Sequence, residues 1–158
     1  MKNILYTIIL SFLFSSSVFA DYKAGYDAYH AGDYATALKE WKPLAEQGDA
    51  YAQHSLGAMY KNGDGVTQDY KEAERLYKLA AERGHANAQN SLGFMYAMGV
   101  GVIKDVVIAH MWYNIAALSG DKEAVEQRDN VAKKMTPSQI ETAQKLARKC
   151  IRKKYKGC

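Results

Sequence analysis

Ser119, Gly120, Asp121 and Lys122 have the Ser-x-x-Lys spacing of serine acylases. In those enzymes a nearby base takes the proton of a serine hydroxyl as it attacks a carbonyl. The chemistry needs both side chains on one face of a rigid helix, beside donors for the oxyanion. Here Ser119 and Lys122 are expected to straddle a turn at Gly120, so no catalytic residue is assigned. His30, His54, His85 and His110 include no His-x-x-x-His pair and no cysteine partner of zinc-site spacing, so no metal and no cofactor are expected. Gly63-x-Gly65 and Gly99-x-Gly101 follow no legible strand and read as turn glycines rather than a phosphate cradle.

Two cysteines remain, Cys150 and Cys158. Unbroken helix would hold their Cα atoms about 12 Å apart, beyond the roughly 7 Å reach of a disulfide. A reversal at Gly157 would permit an internal bridge; otherwise Cys150 is core and Cys158 dangles or pairs between chains.

Charge is divided along the chain. From Lys133 to Cys158 there are nine Lys or Arg against Glu141 alone, about +8, whereas residues 21–132 hold eleven basic and sixteen acidic residues, about −5. Lys149, Arg152, Lys153, Lys154 and Lys156 either complement the negative end of a helix or contact an anionic surface such as acidic lipid, cell-wall polymer or an acidic protein. No basic groove is interleaved with aromatics, so nucleic acid is not expected.

The elements that carry these groups are written as a repeat. Aligning Asp33, Asp69 and Asp105 gives a gapless 36-residue step, and half of the 36 positions are identical between the first two copies. Ala37, Ala73 and Ala109 match, as do Gly48, Gly84 and Gly120; Trp41, Tyr77 and Tyr113 are aromatic at one position. From Tyr70 the apolar positions Ala73, Leu76, Tyr77, Ala80 and Ala81 follow helical spacing, opened by a capping-box pattern of Asp69 with Glu72 and closed by Gly84. A second helix runs from about Asn87 to near Gly99, with Ala88, Leu92, Met95 and Tyr96 on one side. Neither helix hides its apolar stripe alone, so the copies must stack. Gly93 is expected to let helix axes approach closely, and Pro43 to kink the first helix of the first copy.

Both ends look capped. Tyr22, Tyr26 and Tyr29 recur at helical spacing ahead of the first copy. Thr136, Pro137 and Gln139 start a last helix whose Ile140, Ala143, Leu146, Ala147, Cys150 and Ile151 share a face. The organisation is therefore a capping helix over 21–32, repeats over 33–68, 69–104 and 105–135, and a basic capping helix over 136–158. Residues 1–20, with Lys2, an apolar run from Ile4 to Phe14 and small residues up to Ala20, read as a cleavable secretory signal, leaving no membrane span. The expected location is the periplasm or outside the cell.

Ala52, Leu56, Gly57, Tyr60, Gly63, Gly65, Val66, Asp69, Ala73, Tyr77, Ala80, Ala81 and Gly84 resemble the Sel1-like repeat, a relative of the tetratricopeptide repeat. The resemblance implies an all-α fold, a right-handed superhelical solenoid of antiparallel helix pairs with a helical cap at each end. It implies a non-enzymatic scaffold for a protein or peptide partner; some cysteine-rich secreted relatives bind β-lactams, which keeps a hydrolase as an alternative. An envelope-associated protein held by the basic last helix is another. Lys39, Lys42, Lys71, Arg75 and Lys78 occupy equivalent first-helix positions that packing does not dictate, and the stripe turns apolar at Met111 and Trp112, beside Asn114. These eight residues are the expected partner contacts; a solvated face running into a patch covered by the last helix would read the same way.

Overall fold

The computed structural model describes residues 22–158, so the expected signal over 1–20 lies outside the described residues. All described elements are helical: α1 over 22–30, α2 Tyr34–Glu46, α3 Ala50–Asn62, α4 Tyr70–Ala81, α5 Ala86–Met98, α6 Val106–Ala116, α7 Lys122–Ala132 and α8 Pro137–Arg152. Successive helices pack as antiparallel neighbours from α2 through α7, giving the expected solenoid.

Local chemistry sets the helix starts. Asp33, Asp49, Asp69, Asp105 and Asp121 each accept a backbone N–H two or three residues ahead, and His85 Nδ1 does the same for Ala88 N. Thr136 and Gln139 complete a reciprocal capping box. Asp69 and Glu72 do not. The Asp69 N–H is already donated to Tyr60 O at 2.9 Å, and Glu72 turns outward to Arg75. α3 and α5 stop at Gly63 and Gly99, both left-handed at φ 80° and 74°. α2 runs unbroken through Pro43, which lies in its last turn.

Gly57 and Gly93 serve a purpose different from close helix approach. A Cβ on Gly57 would fall 2.7 Å from the Tyr77 ring, and one on Gly93 2.6 Å from the Tyr113 ring, so each glycine is the socket for the aromatic of the following repeat. Gly25 of α1 receives Trp41 in the same manner, and Trp41 Nε1 donates to Tyr22 O at 3.1 Å. Two apolar clusters result. One joins α1, α2, α3 and Leu76 of α4 around Trp41, Leu56 and Met59; the other joins α4, α5, α6 and α8 around Tyr77, Leu92, Trp112 and Cys150.

The stack stops after α7. That helix ends at Lys133 in right-handed conformation, without a glycine turn. α8 then folds onto α6, burying Ala143, Ala147 and Cys150.

Candidate interaction surface

Beyond Arg152 the chain reverses. Lys154, Tyr155 and Gly157 all take positive φ, and Tyr155 N donates to Cys150 O at 3.0 Å, so the reversal begins three residues before Gly157. Cys158 is thereby brought back to Cys150, with a Cα separation of 5.5 Å and a disulfide between them. The loop rests on the end of α4. Gly157 N donates to Glu82 Oε1 at 3.1 Å, Lys156 Nζ lies 3.7 Å from the same carboxylate, and the Tyr155 ring lies beside Gly84.

This placement decides what the basic-to-apolar stripe can offer. Lys39, Lys42, Lys71, Arg75 and Lys78 are exposed. Arg75 grips Glu72 through two hydrogen bonds of 2.7 and 2.8 Å, and Lys78 pairs with Glu74 at 2.6 Å. Lys39, Lys42 and Lys71 make no ion pair among the described residues. The apolar end of the stripe is not a contact surface. Met111 and Trp112 are only 3% and 2% exposed, packed within the cluster that includes Ala147 and Cys150 of α8, and Asn114 beside them is half-buried.

An open groove of about 550 Å³ lies between α2 and α4, lined by Lys42, Gln53, Arg75, Leu79 and Arg83 among others. Gln53 Nε2 donates to Ala45 O at 3.0 Å, while its buried Oε1 has no partner. One 36-residue step along, the same positions line the seat of α8: Arg75 becomes Met111, Leu79 becomes Ile115, and Glu46 and Gly48 become Glu82 and Gly84. Leu79 is 37% exposed and Ile115 is 1% exposed. The α2–α4 groove is thus the uncovered counterpart of a groove that this chain fills with its own last helix.

Lys149, Arg152, Lys153, Lys154 and Lys156 are exposed, and of these Lys156 alone is drawn into an ion pair among the described residues. Ser119 closes the short 3-10 turn Ala117–Ser119 and donates its hydroxyl to Ala116 O at 2.8 Å. Lys122 begins α7 on the far side of Gly120 (φ 82°), so the two side chains share no helix face.

His30 is exposed on α1 beside Tyr26, and the other histidines are more enclosed. His54 and His85 stack with ring centroids 4.9 Å apart, and His54 Nε2 lies 3.4 Å from Ser91 Oγ, whose proton is donated to Asn87 O. Burial, with His85 and Lys61 nearby, brings the His54 pKa down to about 4; burial also lowers that of His85. His110 is buried against α7, its Nδ1 without a partner. No group of His, Cys, Asp or Glu able to hold a metal ion occurs among the described residues, and no described helix is long and apolar enough to cross a membrane.

Comparison with known proteins agrees with the repeat. The family model described as Sel1 repeat matches residues 50–85 and 86–121, the same 36-residue step begun at α3. The structure of a Sel1 repeat protein from Oxalobacter formigenes is 32% identical, with a TM-score of 0.65 over 82% of this chain and 99% of that one. A protective antigen of uropathogenic Escherichia coli, displaying an SLR fold, is 30% identical with a TM-score of 0.82 over 87% of this chain; this chain spans 30% of the antigen's length. No curated protein matches.

Proposed function

Since the chain belongs to the Sel1-repeat family, we propose that it is a non-enzymatic interaction module, holding a protein or peptide partner in the groove between α2 and α4. The observation that carries this reading is the pairing of Leu79 with Ile115. Equivalent positions of the repeat are exposed in one groove and sealed by α8 in the next, so the surface has the shape to seat a helix. On its walls Lys42, Arg75 and Arg83 outnumber Glu46 and Glu72, a balance that favours an occupant with acidic side chains. Ser119, with its hydroxyl committed to Ala116 O and no lysine on its helix face, supports no acyl transfer.

Export to the periplasm or beyond is part of the proposal. It is supported by the signal-like residues 1–20 and by the Cys150–Cys158 bridge, which persists in oxidising compartments. The five exposed cations of the C-terminal segment favour a second role, attachment to an anionic envelope component.

The test is site-directed photo-crosslinking in the native envelope, with the crosslinker at Leu79 and, as a control, at exposed Leu118. A discrete adduct from position 79 that disappears with Lys42→Glu and Arg75→Glu is expected. Equal adducts from both positions, or an adduct indifferent to the charge reversal, would refute the groove.

A further inference from the structure

The larger groove lies elsewhere, between α5 and α7, with a volume of about 900 Å³. It opens where the third copy departs from the other two. Between α3 and α5 the seam is closed by His54 against Ser91. One 36-residue step on, those positions are Asn90 and Gln127, and Leu92 and Gly93 have become Arg128 and Asp129. Asn90 is among the residues that line the groove, and its Oδ1 is buried without a partner.

The lining is not what packing of the repeat would produce. Phe94 and Met98 are 44% and 63% exposed in the groove, and the same positions of the first copy are Ala58 and Asn62. Around them stand Lys61, Lys104, Lys133 and Lys134, against Glu123 as the single acid of the lining. Lys61 Nζ sits 5.8 Å from the Phe94 ring centroid, and none of the four lysines makes an ion pair among the described residues. An apolar floor within a rim of four uncompensated cations costs self-repulsion and exposes apolar area; both are relieved by one kind of ligand.

We propose that the groove between α5 and α7 is a second docking surface, and that its occupant is an acidic amphipathic segment of a partner protein. Its apolar side chains lie on Phe94 and Met98, and its carboxylates meet the lysine rim. The α2–α4 groove and this one both border α3, through Gln53, Leu56 and Tyr60 in the first and Lys61 in the second, but they share no lining residue.

The test titrates the disulfide-intact chain with a fluorescent synthetic peptide of Glu, Leu and Ala, its leucines at helical spacing, and with poly-glutamate of equal length. The amphipathic peptide is expected to bind, shifting the NMR signals of Phe94 and Met98. Lys104→Glu with Lys134→Glu should weaken it by about tenfold or more, and Glu123→Lys should tighten it roughly two- to threefold, a gain that misfolding cannot mimic. Lys42→Glu with Arg75→Glu, on the other groove, should leave it unchanged. Binding of poly-glutamate as tight as that of the amphipathic peptide, indifference to the groove variants, no binding of either peptide, or perturbations mapping away from Phe94 would each overturn the proposal. So would a higher affinity of the same groove for DNA or anionic vesicles.

Discussion

The ring of Tyr113 fills the space that a side chain at Gly93 would need: a Cβ there would lie 2.6 Å from the ring. The same socket is formed by Gly57 with Tyr77, where both partners belong to the preceding step of the repeat. A buried aromatic seated on a glycine, recurring at 36 residues, is the joint on which neighbouring repeats are hung.

Gly93→Ala is therefore expected to destabilise the chain by about 1 to 3 kcal/mol, because the buried Tyr113 ring must shift to make room for the Cβ. Gly93→Leu should cost more. Urea denaturation of the two variants, with Tyr113→Ala combined with Gly93→Leu as a compensating pair, checks it. Recovery of stability in the pair identifies the socket, and additive losses would contradict it.

The disulfide closes a loop of eight residues at the end of α8, a constraint on the unfolded chain worth about 2.5 kcal/mol. Replacing Cys150 and Cys158 together by alanine should lower stability by that order, and a reducing agent should do the same to the native chain but nothing to the variant. Thermal unfolding in the presence and absence of dithiothreitol reads both.

Much of this architecture was legible because each repeat must bury the next, so the core positions are written two or three times. The 36-residue step, the aspartate starts and the glycine stops all follow from that redundancy. What occurs once is less legible. The apolar face of α8 shows that it must be buried, but its residues alone leave Met111 and Trp112 open between a partner contact and a patch under the last helix, and the structure has the second. Gly25 as the socket of Trp41 was hidden by its spacing, 16 residues against 20 for the later pairs. The α5–α7 groove did leave a signal: Phe94 and Met98 are apolar in one copy where Ala58 and Asn62 stand in the other, a difference that the core does not require.

Stability should fall in acid through His54. Its folded pKa of about 4 lies below the ordinary histidine value of 6.5, chiefly because burial disfavours the charged ring. The unfolded state therefore binds more protons between these limits. The contribution is fully present above pH 6.5 and is lost as pH falls toward 4, on the order of 3 kcal/mol. His85 adds in the same direction, since its Nδ1 must be unprotonated to accept Ala88 N–H at 3.2 Å. Aspartate caps the equivalent positions Asp49 and Asp121, so His85→Asp keeps a cap without the imidazole and is expected to flatten part of the slope, and His54→Asn the larger part. Denaturation midpoints of the three proteins at pH 7.5, 6, 5 and 4 check this; parallel curves would remove the histidines from the account.

Glu82 ties the C-terminal loop to α4 by accepting Gly157 N–H at 3.1 Å while facing Lys156 at 3.7 Å. Both contacts are at the surface, so their net effect on global unfolding should be under about 1 kcal/mol. Local opening is another matter, because the loop has few other anchors: the Tyr155 ring beside Gly84, and the disulfide to α8. Glu82→Ala should therefore leave the denaturation midpoint almost unmoved while hydrogen exchange at the Gly157 amide becomes at least several-fold faster. The same substitution at Glu46, the equivalent residue of the open groove, should change neither. Unaltered exchange at Gly157 in the Glu82 variant would mean that the disulfide and α8 alone hold the loop, and that α4 contributes no grip on it.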